Sequence, residues 1–283
     1  MSSNDTTPKG YAPFDLYPYN PAQPPAYAFL AIFGIAAVLH LAAMIPYRSW
    51  FPLPMIVGCG MEAAGYYFRS RSHNDVRKIL PFVIQHLLVL SAAPLLAATI
   101  YMSPRRISRV LEAEHLIVGR RWATKVFIVV DIGCFVTQAA GAILSGSEDP
   151  DEASNGRTTI LAGLILQVCA FALFVACAVK FHTSMHSASL SLASSRNLAW
   201  QKYLYGLYVA SLLFVVRNIT RIVEYQQGSD GELLSNEVWL YVLDAVVMLA
   251  VVFVMLVLHP GRLRRKARKQ MSVKPREDYI ALT

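Results

Sequence analysis

Charge is scarce in this sequence. Asp, Glu, Lys and Arg make up 16% of the 283 residues, whereas a soluble globular chain carries roughly 25%. So few charged groups cannot cover a water-facing surface, which excludes an ordinary soluble enzyme, a coiled coil and a disordered segment. Cysteine is scarce too. Cys59, Cys134, Cys169 and Cys177 all fall inside apolar runs, so a loop-based disulfide scaffold is excluded and the four read as small buried side chains. No signal peptide is expected: residues 1–25 are polar and rich in Pro and Tyr, with no basic-then-apolar start. The first apolar run therefore acts as its own insertion signal. No glycine-rich loop ends in Lys-Ser or Lys-Thr, so no nucleotide site is implied, and no cofactor is expected.

What the chain has in abundance is apolar sequence, with 55% hydrophobic residues and a mean hydropathy of +0.42. A bilayer-spanning helix needs roughly 20 mostly apolar residues. Seven segments qualify: 26–45, 51–68, 79–102, 123–144, 159–180, 203–224 and 238–259. The second is the weakest, being short, opened by Pro52 and Pro54, and containing Glu62. The reading is an all-α integral membrane protein with seven transmembrane helices. It is organised as a polar tail (1–25), a membrane domain (26–259) and a basic tail (260–283).

Lys and Arg orient it. The N-terminal tail and the loops on its side hold 6 of the 26 basic residues; the opposite side holds 17, eight of them after Gly261. The N-terminus is expected outside and the C-terminus in the cytosol. The excess of basic residues belongs to this topology pattern and not to a groove-binding face, so the net charge of +8 does not point to nucleic acid. The acidic loop 145–158 (Glu148, Asp149, Asp151, Glu152) agrees with an outer location, and Asn4-Asp5-Thr6 is a glycosylation sequon on the outer tail. Arg262, Arg264, Arg265, Lys266, Arg268 and Lys269 read as an anchor to anionic headgroups.

Ionisable groups inside a bilayer are costly and usually face the bundle interior. Arg217, Arg221 and Glu224 are spaced by four and three, which places them on one helix face. Glu62, Gln85, Gln138 and Asp244 lie roughly six residues from the outer end of their spans, about 9 Å at the helical rise, with Gln167 and Arg217 close to the same depth. Arg221 and Glu224 lie nearer the edge. Such a layer reads either as glue between helices or as an outward-opening pocket for a headgroup. Asp131 is set apart near the midplane, and His40 is deeper still. His182 and His186, at metal-pair spacing, read as a polar membrane edge because no acid or thiol accompanies them. Gly141 and Gly163 are expected at close helix contacts, and Pro94 at a kink. Tyr66, Tyr67, Tyr101, Trp122, Trp200 and Trp239 read as an interfacial aromatic belt.

A set of motifs runs through these spans. They are Glu62-x-x-Gly65-Tyr66; Gln85 with Pro94, Ala97-Ala98 and Tyr101; Asp131 with Gln138 and Gly141; Gly163-Leu164-x-x-Gln167; and Arg217-x-x-x-Arg221-x-x-Glu224-Tyr225 with Gly228, Gly231, Glu237 and Asp244. Together they resemble the fungal lipid-translocating exporter family, associated with resistance to a toxic aminosterol. The chain departs from it at Gly141-Ala142, where two glycines are expected. The resemblance implies a seven-span plasma-membrane protein linked to export or flipping of sphingoid long-chain bases, to tolerance of toxic lipophiles and, in one branch, to porphyrin uptake.

Three functions compete. A translocase for an amphipathic, lipid-like molecule would bind the headgroup through Glu62, Gln85, Asp131, Gln138, Gln167, Arg217, Arg221, Glu224 and Asp244. A seven-span lipid sensor or receptor fits the same topology, although the Asp-Arg-Tyr and Asn-Pro-x-x-Tyr motifs of G-protein-coupled receptors are missing and 238–259 has no Lys for a retinal Schiff base. An intramembrane zinc hydrolase needs several His at one depth, and His40 and His86 do not share one. The expected partners are a lipid or lipophilic small molecule and the bilayer, and the chain reads as a non-enzyme.

Overall fold

A computed structural model describes residues 8, 10–47, 50–110, 121–145, 149–189, 200–227, 231–259, 261–263 and 265. Six long helices come first: α1 (Gln23–Tyr47), α2 (Leu53–Ser72), α3 (Ile79–Val110), α4 (Arg121–Leu144), α5 (Pro150–Ser189) and α6 (Gln201–Gln227). Two single-turn helices follow, α7 (Glu232–Ser235) and α8 (Glu237–Leu240), then a π-helical turn (Tyr241–Val246) and α9 (Val247–Val257). Among the described residues there is no strand, only one antiparallel bridge between Tyr11 and Lys78. This all-helical outcome follows from the solvent: hydrocarbon offers no hydrogen bonds, so each spanning segment must satisfy its backbone internally.

Consecutive helices pack side by side, α1 on α2, α2 on α3, α4 on α5 and α5 on α6, and α9 closes the bundle against both α6 and α1. Apolar side chains such as Ile35, Val38, Ile45, Leu173, Leu212 and Phe253 point outward, as expected where lipid replaces water. Six stretches are long and apolar enough to cross a membrane: Gln23–Pro46, Ile79–Val110, Thr124–Leu144, Asp151–Ser184, Gln201–Gln227 and Glu237–Leu263. The segment expected as the second span is a helix, but its polar residues leave it outside that set. It is instead packed between α1 and α3 with Met55, Cys59, Glu62 and Tyr66 buried.

Several sequence expectations change. Residues 150–158 are not loop: α5 begins at Pro150 and runs for 40 residues. The N-terminal tail is not simply a polar extension. Residues 10–22 strap the bundle end, with Ala12 N–H donating to Arg77 O (2.9 Å) and Ile79 N–H to Gly10 O (3.0 Å). Tyr66, Tyr101 and Trp200 are not belt residues; all three are buried in the core, and Tyr66 stacks on Phe33 (5.9 Å, 7°). Tyr67 and Trp239 are exposed. Cys169 is not buried but faces outward from α5, because a thiol is apolar enough for a lipid-facing position. Asn4, the side chains of His186 and Trp122, and all of the tail 260–283 except residues 261–263 and 265 lie outside what is described.

The glycines at the α4–α5 crossing are close-contact positions. A Cβ on Gly141 would sit 2.7 Å from Gly156 O and 2.8 Å from Ile160 Cγ1, and one on Gly156 would collide with Ser145 N. A Cβ on Gly163 would meet Gln138 Cγ at 3.0 Å. These contacts set how closely α4 and α5 approach, and so bring Gln138 and Gln167 within reach of each other.

Candidate functional site

The expected polar layer resolves into four separate groups. The largest is built on α6, whose i, i+4, i+7 spacing turns Arg217, Arg221 and Glu224 to one face. Opposite it, the π-helical turn carries Asp244; widened turns of this kind recur at functional sites. Asn236 starts this segment by capping α8, its Oδ1 accepting from Val238 N–H at 3.0 Å. Asp244 bridges two guanidiniums: Arg217 Nε donates to Oδ1 at 2.7 Å and Arg221 Nη2 to Oδ2 at 2.7 Å. Arg221 Nη1 also donates to Glu224, 3.1 Å from Oε2. Arg217 is 1% exposed and Asp244 4%, so this ion network is withdrawn from water. Arg157 donates to the carbonyls of Tyr225 and Gln226 at the end of α6, the place where a cation complements a helix terminus.

Glu62 is the odd member. It is 0% exposed and interacts electrostatically with Asp244, Arg217 and Arg221, yet neither carboxylate oxygen has a hydrogen-bond partner in the protein. Arg217 Nη2 and Arg221 Nε are likewise without one. Buried polar groups are normally satisfied. One neighbourhood thus holds two idle acceptor atoms on Glu62 and an idle donor on each guanidinium, not joined to one another. Beside them a cleft lined by Tyr19, Arg217, Arg221, Glu224, Trp239 and Asp244 encloses about 20 Å³. A water requires roughly 10–15 Å³ on this scale, so in this conformation the cleft admits a water and not a headgroup.

The second group is the strap's anchorage. Tyr17 OH donates to Gln85 Oε1 at 2.6 Å and lies 3.2 Å from Ser72 Oγ. Arg69 Nη2 donates to Glu237 Oε1 (2.8 Å) and Tyr19 OH (3.0 Å), and its guanidinium lies 5.5–5.7 Å from the ring centroids of Tyr17, Tyr19 and Tyr241. Glu237 also accepts from Ala22 N–H at 2.9 Å. Burial pushes the Tyr17 and Tyr19 phenols above their ordinary value, so both stay protonated, Tyr17 as the donor to Gln85 and Tyr19 as an acceptor from Arg69. Sequence reasoning counted Arg69 as a loop charge and missed Tyr17 and Tyr19 altogether. The clustering of tyrosines in the N-terminal tail was the available signal.

The third group is a pair, Gln138 Nε2 donating to Gln167 Oε1 at 3.1 Å. The fourth is Asp131, whose Oδ2 accepts from Tyr101 OH at 2.8 Å. Asp131 therefore does not bond to the arginine cluster, nor do Gln85, Gln138 and Gln167, whose partners lie elsewhere. Among the described residues no group of three or more His, Cys, Asp or Glu is placed to hold a metal ion. His182 instead lies 3.1 Å from Tyr208 OH.

Comparison with known proteins gives a consistent picture. The family model described as "RTA1 like protein" matches residues 55–267. The chain is 30% identical over 273 residues to Protein RTA1 of Saccharomyces cerevisiae, covering 87% of this chain and 85% of that protein. It is 36% identical over 201 residues to the yeast Protoporphyrin uptake protein 1 (71% and 65% covered). It is 26% identical over 268 residues to the yeast Sphingoid long-chain base transporter RSB1 (82% and 70% covered). No solved structure matches.

Proposed function

The chain belongs to the RTA1-like family, and from that premise we propose that it is a translocase for amphipathic, lipid-like molecules of the sphingoid-base type. The headgroup binds at the Glu62–Arg217–Arg221–Asp244 cluster. The observation that carries this reading is the unmatched hydrogen bonding there. An amino-alcohol headgroup supplies both missing complements: its ammonium donates to the idle Glu62 oxygens, and its hydroxyls accept from Arg217 Nη2 and Arg221 Nε. Three carboxyls (Glu62, Glu224, Asp244) face two guanidiniums, a balance that favours a cationic guest. Leu233, Leu234 and Leu240 at the cleft offer an apolar wall for the attached chain.

Access requires the cleft to widen. The strap and the α7–α8 segment cover it, joined through Arg69 and Glu237, so opening means breaking that tie. With α2 as the seventh crossing, the basic-residue asymmetry supports an outward-facing strap and cluster and a cytosolic C-terminus, and the family resemblance supports residence in the plasma membrane. The relative named as a sphingoid long-chain base transporter supports the substrate class.

The test is movement of a fluorescent sphingoid base across liposomes holding only this protein, with wild type run beside Glu62→Gln and Arg217→Leu. Movement by wild type that both variants lose is the expected result. Binding without movement, still sensitive to the two variants, would make the protein a lipid sensor. Neither movement nor binding would reduce the cluster to structural glue.

A further inference from the structure

Asp131 stands outside the headgroup site, and the surroundings it has are not those of glue alone. It is 1% exposed. Tyr101 OH occupies Oδ2, while Oδ1 is buried with no partner in the protein. The ring of Tyr101, its partner, packs against Phe127, Phe171 and Phe174, with centroids 4.7 Å apart for Tyr101–Phe174 and 5.5 Å for Tyr101–Phe127. Asp131, Cys134 and Gln138 lie at i, i+3 and i+7 on one buried face of α4. Gln138, bonded to Gln167, thus stands about 10 Å along the helix from Asp131, at 1.5 Å per residue. Two polar positions therefore share this face of α4, Gln138 bonded to α5 nearer the strap end and Asp131 bonded to α3 nearer the bundle middle.

We propose that Asp131 and Tyr101 form a second, deeper ammonium-binding station on the path of the translocated amine, with the Gln138–Gln167 pair between it and the strap end. This rests on the translocase reading above. A carboxylate beside aromatic faces attracts an organic cation through charge and ring quadrupole together. A small metal cation would need six or more oxygen ligands or a fixed octahedron, and the site offers one carboxylate and one phenol. The free Oδ1 is the atom that accepts the ammonium proton, and Tyr101 fixes the carboxylate's orientation by holding Oδ2.

The experiment uses the full chain in liposomes with two fluorescent probes, a long-chain base and its neutral N-acetylated analogue. Asp131→Asn keeps an acceptor for Tyr101 but removes the charge, so a purely structural role predicts no change. The expected result is outer-face binding like wild type, with movement of the amine reduced about tenfold or more, the loss of one charge-assisted hydrogen bond, and the neutral probe unaffected. Wild-type amine movement in Asp131→Asn, alongside its loss in Glu62→Gln, would overturn the second station and leave the headgroup site standing. Loss of neither variant's activity would overturn both. If Asp131→Asn is not recovered folded, Phe174→Leu carries the test by removing one aromatic face: an amine-selective loss is expected, and equal effects on the two probes would refute the station.

Discussion

Asp244 holds two buried guanidiniums at once, so replacing it should be the most damaging single change in the cluster. In Asp244→Asn the shape is kept and one acceptor remains, but Arg217 Nε and Arg221 Nη2 lose the carboxylate that each meets at 2.7 Å. Breaking a buried ion pair by removing one partner costs about 3–5 kcal/mol, because the remaining charge is left unpaired in low dielectric. The retained amide oxygen places the expected loss near 3 kcal/mol. That is a large share of the 5–15 kcal/mol typical of a folded domain. Arg217→Met in the same background removes one of the stranded charges, so the double variant should be more stable than the sum of the single losses by about 0.5–3 kcal/mol. Thermal unfolding of purified protein in detergent, followed by tryptophan fluorescence, reads both quantities. Unchanged unfolding in Asp244→Asn, or strict additivity in the double variant, would refute the ion network as described.

Other expectations follow from the same geometry. Glu62→Gln should leave stability within about 1 kcal/mol of wild type or raise it, because the carboxylate it replaces has no hydrogen bonds to lose, while transport is lost; a large drop in unfolding temperature would show that Glu62 is a structural partner. Gly156→Val should separate α4 from α5 at a cost of about 1–3 kcal/mol or more, seen as lower yield of folded protein, whereas Gly60→Ala, with open space around its Cβ, should be silent. Tyr17→Phe removes the 2.6 Å bond to Gln85, about 1 kcal/mol, and should speed protease nicking within residues 10–22. A tag after Thr283 should be unreachable from outside intact cells, and labelling there would overturn the proposed topology.

Much of this architecture was legible in the sequence because lipid imposes simple rules. Long apolar runs gave the helices, and a four-and-three spacing put Arg217, Arg221 and Glu224 on one face, where they stand. Gly141 and Gly163 marked a close crossing for the same reason: no side chain fits there. What failed was whatever depends on who packs against whom. Equal depth placed Gln85, Gln138 and Gln167 in one layer with the arginines, but depth carries no information about azimuth: Gln85 bonds Tyr17, and Gln138 and Gln167 bond each other. Tyr66 and Tyr101 looked like interfacial residues because tyrosine is amphipathic, yet both lie in the core, Tyr101 bonded to Asp131. The strap was invisible because its order comes from Arg69, Glu237 and Gln85, residues remote in sequence. α2 lacks the apolar length of the other helices because its packed face carries Glu62 and its end carries Arg69.

The most direct measurement is the rate at which a fluorescent sphingoid base crosses liposomes containing only this protein, compared with protein-free liposomes and with Glu62→Gln. A rate clearly above the protein-free control that falls to it in Glu62→Gln is the predicted result. A wild-type rate equal to the protein-free control, or one untouched by Glu62→Gln, would contradict the claim that the buried cluster is a headgroup site of a translocase.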